Sequence, residues 1–220
     1  GSMKKVIPIV AVGGATPLPS EAELEASIQL NLRRLKPSVP EIQRLLHEEL
    51  RDTVHMEATQ HVKNGRLLEA INKISALMEP AVACGKGCSH CCHMAVGISA
   101  WEAEQIGKYI GIKPANPPAI TIENALEVQE ASIQKYMGKT CPFLQNNECS
   151  IYEVRPFACR TNFNISAYPQ QCNLFEHPQA TVPNFDLSNL WTASAVINSD
   201  PPVFGDLRQF FPMDQYGAFK

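Results

Sequence analysis

The tightest constraint on this chain is a run of four cysteines within nine positions, Cys84-Gly85-Lys86-Gly87-Cys88-Ser89-His90-Cys91-Cys92. Cys141, Cys149, Cys159 and Cys172 follow, making eight in all. Thiolates are soft, negatively charged ligands suited to zinc and to iron–sulfur clusters, and inert buried thiols are seldom grouped so densely. The neighbours Cys91 and Cys92 suit a simple disulfide framework poorly, so metal is the expected use of these groups. A chain of 220 residues, 45% of them apolar, can bury a core unaided. The cysteines should therefore organise a local site, not rescue the whole fold.

Spacing narrows the options. Cys88-x2-Cys91 is half of a zinc ribbon, but the second half is Cys141-x7-Cys149 instead of another C-x2-C. Neither the bacterial nor the plant-type ferredoxin spacing is present, although Pro142 follows Cys141. All eight positions, Cys84, Cys88, Cys91, Cys92, Cys141, Cys149, Cys159 and Cys172, are candidate metal ligands. The simplest single site takes Cys88 with Cys91 or Cys92, and Cys141, Cys149 and Cys159 compete for the other positions. Eight thiols could also supply two tetrahedral sites. Gly85 and Gly87 free the backbone to fold around an ion. Arg155, Arg160 and Lys86 could offset the charge of the thiolates, and His90 or His93 could replace one of them. Tyr152 and Phe157 read as shields of the site.

The sequence Gly87-Cys88-Ser89-His90-Cys91-Cys92, with Cys141-Pro142-Phe143-Leu144, Cys149-Ser150-Ile151-Tyr152-Glu153 and Arg155-Pro156-Phe157-Ala158-Cys159-Arg160 further on, resembles the YkgJ-type cysteine-cluster family. The resemblance covers roughly Cys84 to Cys172 and implies a zinc- or iron-chelating domain. The same family includes the cysteine-rich part of flagellin lysine N-methylases, which makes a cofactor-dependent enzyme the alternative. No glycine-rich nucleotide loop follows an expected strand, and no G-x-S-x-G, P-loop or H-E-x-x-H sequence occurs.

Around the cysteines the chain reads as mainly α. Ser20 should cap a helix running to about Lys36, with Glu21 and Glu23 in its first turn, and Pro37 and Pro40 should break it. Ile42, Leu45, Leu46, Leu50, Val54, Ala58 and Val62 predict a longer helix from Glu41. Gly65 should interrupt it before Leu67, Leu68, Ile71, Ile74, Leu77 and Met78 continue the period to Pro80. Ser99 with Glu102 makes a capping box for a helix containing Trp101, Ile106, Tyr109 and Ile110. Further helices are expected over 122–137, 187–196 and 204–211. Four segments result: a tag remnant and extended stretch (1–18), a helical region (19–80), a metal-organised module with irregular loops (81–175) and an irregular C-terminal wrap (176–220).

The partner classes follow from charge and hydropathy. A net charge of −3 offers no attraction to phosphate backbones, so no nucleic acid is expected, while a metal ion is, and a protein partner is open. Lys4-Lys5 and the apolar residues after them resemble a short secretory leader, but Pro8 interrupts the run. A cytoplasmic protein without a membrane span is the expectation, since no stretch approaches the roughly 18 apolar residues required. His47, His55 and His61, with Glu48, Glu49, Asp52 and Glu57, read as ordinary faces of the long helix.

Overall fold

The computed structural model describes residues 16–85 and 87–214; the expected extended stretch at the N-terminus and Lys86 lie outside them. The fold is mainly α, as expected, with four short strands among the described residues. Helix α1 (Glu21–Leu35) starts at Ser20, whose side chain accepts from Glu23 N while the Glu23 carboxylate returns to Ser20 N. Pro37 follows in a 3-10 turn, and Pro40 sits in the first turn of α2 (Val39–Arg44), where a missing N–H leaves no bond unmade. A π-helical turn (Leu45–Glu49) leads into α3 (Leu50–His55).

The break in the long helix falls at 56–59, not at Gly65. Thr59 caps α4 (Gln60–Met78) by accepting from Val62 N, Lys63 Nζ closes the end of α3 on Val54 O, and Arg66 reaches Glu49 at 2.7 Å. Gly65 lies inside α4 with open space where a Cβ would stand. Restarting the helix at Thr59 resets its phase, so Val62, expected on the apolar stripe, is exposed, and Asn64 turns into the core. There Asn64 exchanges amide hydrogen bonds of 2.8 and 3.0 Å with Asn198, which satisfies both groups.

Beyond the first cysteines come β1 (Gly97–Ser99) and α5 (Ala100–Ile110), closed by Gly111 at φ +72°. Helix α6 (Ala125–Tyr136) begins after a Thr121–Asn124 turn, leaving Ile122 outside it. A tight hairpin, β2 (Leu144–Gln145) and β3 (Glu148–Cys149), then turns on Asn146 and Asn147, both at positive φ, which asparagine tolerates. It is followed by α7 (Phe157–Arg160) and α8 (Ser188–Ile197). The expected helix over 204–211 is instead β4 (Phe204–Asp206), paired antiparallel with β1, and the short α9 (Leu207–Phe210). Asp206 and Gln209 form a capping box at that junction.

Two apolar clusters result. The first joins α1–α4 to Phe157, Phe163, Ile165 and α8, with Ile42, Leu45, Leu67 and Ile74 fully enclosed. Each such side chain contributes about 1.5–3 kcal/mol. The second gathers Val96, Ile98, Ile106, Phe143, Phe210 and Phe211, and Cys141, Cys149 and Cys159 pack against it. No helix is long and apolar enough to cross a membrane among the described residues.

Candidate metal centre

Pro80 stops α4, and the chain continues extended, with Ala83 N donating to Asn164 O at 2.8 Å. This brings Cys84 beside the 162–164 strip: its thiol donates to Asn162 O and accepts from Asn164 N at 3.2 Å. Gly87 at φ +92° then permits the tight turn in which Cys88 N reaches Gly85 O. A 3-10 turn over His90–His93 presents Cys91 and Cys92.

The second cluster returns to the first through the backbone. Cys141 N donates to Cys92 O and Gly138 N to His93 O, both at 2.7 Å. Cys141 lies three residues ahead of β2, Cys149 ends β3 opposite Leu144, and Cys159 is carried by α7. Cys172 ends a 3-10 turn, Pro169–Cys172, and its sulfur accepts from Asn164 Nδ2 at 3.5 Å.

All eight cysteines line one cavity of about 500 Å³, between the C-terminal half of α4 and the second apolar cluster. Each is half-buried and unbridged. Tyr152, Arg155 and Arg160 complete its wall. Phe157 does not; it packs into the first cluster against Trp101, so of the two expected shields only Tyr152 faces the sulfurs. His90 and His93 do not line the cavity either: His93 stands edge-on to Phe175, and burial lowers its pKa. His61 accepts from Trp101 Nε1 at 2.9 Å on the surface. Among the described residues no three Cys, His, Asp or Glu groups stand at ligating distances.

The electrostatics of the cavity suit a cation. Burial pushes Cys141 and Cys172 up to about 11 and Cys159 well up, and neighbouring thiolates add to this: Cys84, Cys88 and Cys91 act on Cys172, and Cys91, Cys141 and Cys149 on Cys159. Burial also raises Cys84 and Cys149. Cys91 moves down because the Cys92 thiol donates to it, and Cys92, which keeps the shared proton, moves up. A group of thiols that resist ionisation together would give up protons to a divalent ion that supplies the missing charge. Backbone N–H groups of Phe143 and Ile151 already face Cys141 and Cys149.

Arg160 is buried beside Cys159, and its hydrogen bonds go to neutral oxygens: Arg155 O, Glu153 O and Asn72 Oδ1. Its charge is therefore available to thiolates. Arg155 lies flat on the Tyr152 ring, 3.9 Å from the centroid. The donor set thus fits zinc or iron: soft sulfur ligands, one shared cavity and guanidinium groups to balance the charge.

Metal-free protein is expected to lose stability as pH rises from about 9 to about 11. A folded thiol with a raised pKa holds a proton that the unfolded chain gives up. In that window the native state binds more protons, and unfolding becomes easier with each step; below it the contribution is fully present. Cys141 alone is worth up to about 2–3 kcal/mol. Urea midpoints measured with a chelator at about pH 8 and about pH 10.5 would show the fall, and equal midpoints would contradict it.

Residues 83–173 match the CxxCxxCC family model, described as a "putative zinc- or iron-chelating domain". No curated protein and no solved structure matches the chain.

Proposed function

We propose that residues 83–173, a domain of this cysteine-cluster family, bind zinc or iron through the thiolates of the shared cavity, and that the metal fixes the loops of the module on the helical scaffold. The observation that supports this most is the convergence of all eight cysteines, from segments as far apart as Cys84 and Cys172, on one cavity. A metal there would tie the entry loop, the hairpin, α7 and the 169–172 turn to one another.

The iron–sulfur reading draws support from the N–H groups aimed at sulfur. Asn164 serves both Cys84 and Cys172, and such hydrogen bonds tune cluster potentials. Strictly anaerobic purification with elemental analysis and an absorption spectrum separates the versions. A colourless protein with stoichiometric zinc supports the structural reading; visible absorption that bleaches on reduction supports the redox one. Protein that binds neither metal under reducing conditions would refute both.

A further inference from the structure

We infer that the cavity holds two metal centres side by side, Cys84, Cys88, Cys91 and Cys172 around one and Cys92, Cys141, Cys149 and Cys159 around the other. This rests on the metal-binding reading above and goes further, to number and ligand set.

One ion cannot use eight thiolates. Zinc–sulfur bonds of about 2.3 Å set neighbouring sulfurs about 3.8 Å apart, and four of them complete the tetrahedron. One such unit would leave four of the eight sulfurs that line the cavity without a metal.

The backbone and two asparagines divide the eight into fours. Asn162 joins Cys84 to Cys91: its carbonyl accepts the Cys84 thiol, and its side chain meets the Cys91 sulfur. Asn164 joins Cys84 to Cys172 through its backbone N–H and its amide. The His90–His93 turn packs on the Pro169–Cys172 turn, which closes this group, and Cys88 enters it from the Gly85 turn.

The other four cohere through different contacts. Cys141 N is bonded to Cys92 O, and the β2–β3 hairpin sets Leu144 opposite Cys149, with Leu144 N bonded to Cys141 O. Cys141, Cys149 and Cys159 all pack against the second apolar cluster, and Cys84, Cys88, Cys91 and Cys172 do not; Cys92 is outside it too and joins this group through its backbone bond to Cys141. The Cys92 thiol donates to the Cys91 sulfur, and Cys91 also acts on Cys149 and Cys159, so the two groups meet at this pair, and it is the Asn162 contact that assigns Cys91 to the Cys84 side. Two divalent ions on eight thiolates carry about −4 in sum, and Arg155 and Arg160 would halve it.

The test is an anaerobic titration of reduced, metal-free protein with Co(II), following the thiolate-to-cobalt charge-transfer band, with far-UV circular dichroism to check that α1–α4 stay folded. The expected end point is about two equivalents for the unsubstituted protein and about one for Cys172→Ser, Cys84→Ser or Cys141→Ser, with almost none for the Cys172→Ser/Cys141→Ser double variant. Saturation of the unsubstituted protein at about one equivalent would overturn the two-centre arrangement and leave metal binding intact. Two equivalents retained by Cys172→Ser and Cys84→Ser would overturn the division of ligands. No thiolate band at all, in protein that also lacks zinc and iron when purified anaerobically, would refute the metal-binding reading itself.

Discussion

Stripping the metal under reducing conditions is expected to lower the melting temperature by about 10 °C or more and to open residues 83–173 to proteases, while α1–α4 keep their helicity. The asymmetry follows from what holds each part. The first apolar cluster encloses Ile42, Leu45, Leu67, Ile71 and Ile74 completely and draws on long helices. The cysteine-bearing segments of the module, 84–92 and 141–172, have two-residue strands, 3-10 turns, the four-residue α7 and a few backbone bonds such as Cys141 N to Cys92 O. Between those two cysteines the chain makes an excursion of 48 residues. Closing a loop of that size is worth about 4 kcal/mol by the chain-entropy argument used for cross-links, which is about 8–16 °C in a protein of this length. Hydrogen exchange should locate the effect, with protection lost at 84–92 and 141–172 and kept in α4. Identical melting curves with and without metal would rule out a structural role.

Much of this arrangement was legible in the sequence, because the signals were local. The Ser20 and Ser99 capping boxes and the prolines at 37, 40 and 80 place helix ends through bonds made within a few residues. The periodicity of Leu67, Ile71, Ile74 and Met78 placed one face of α4. What escaped depends on partners distant in the chain. Asn64 looks like a surface residue until Asn198, 134 positions on, pairs with it. Gly65 looked like a breaker because its composition is unfavourable, but Thr59 offered a cap a few residues earlier and settled the boundary. The 204–206 segment became a strand because β1 was there to pair with it. At the site, cysteine spacing singled out the eight thiols but not the hydrogen bonds that Asn162 and Asn164 make to Cys84 and Cys172. Neither asparagine carries a motif, and only their place next to Cys84 in space reveals them. The Asn146-Asn147 pair was a readable hairpin signal inside the Cys141–Cys149 spacing, and it explains why seven residues can separate two thiols that face one cavity.

The second large effect is expected at Glu102, away from the cavity wall. Its side chain is 6% exposed and divides its two oxygens between distant backbone donors: Oε2 accepts from Ser99 N at 2.8 Å and from Ser99 Oγ, and Oε1 accepts from Phe157 N at 2.8 Å. One carboxyl thus caps α5 and holds the start of α7, the turn that carries Cys159 and Arg160. Burial pushes its pKa up, and the Ser99 and Phe157 N–H groups pull the other way. Both oxygens are needed as acceptors of backbone N–H groups. Glu102→Gln keeps the shape but turns one oxygen into an NH2 group facing a buried N–H, which costs about 1–3 kcal/mol and lowers the melting temperature by several degrees. If the lost bond is the one to Phe157, α7 is freed to move, and Cys159 leaves its place beside Cys141 and Cys149. Glu102→Gln should therefore lose metal as well as stability. Asn198→Ala provides the comparison, since it orphans Asn64 in the first cluster and should cost about as much stability with no loss of metal. Equal metal content in both variants at matched temperature would show that Glu102 supports the fold without positioning the thiols.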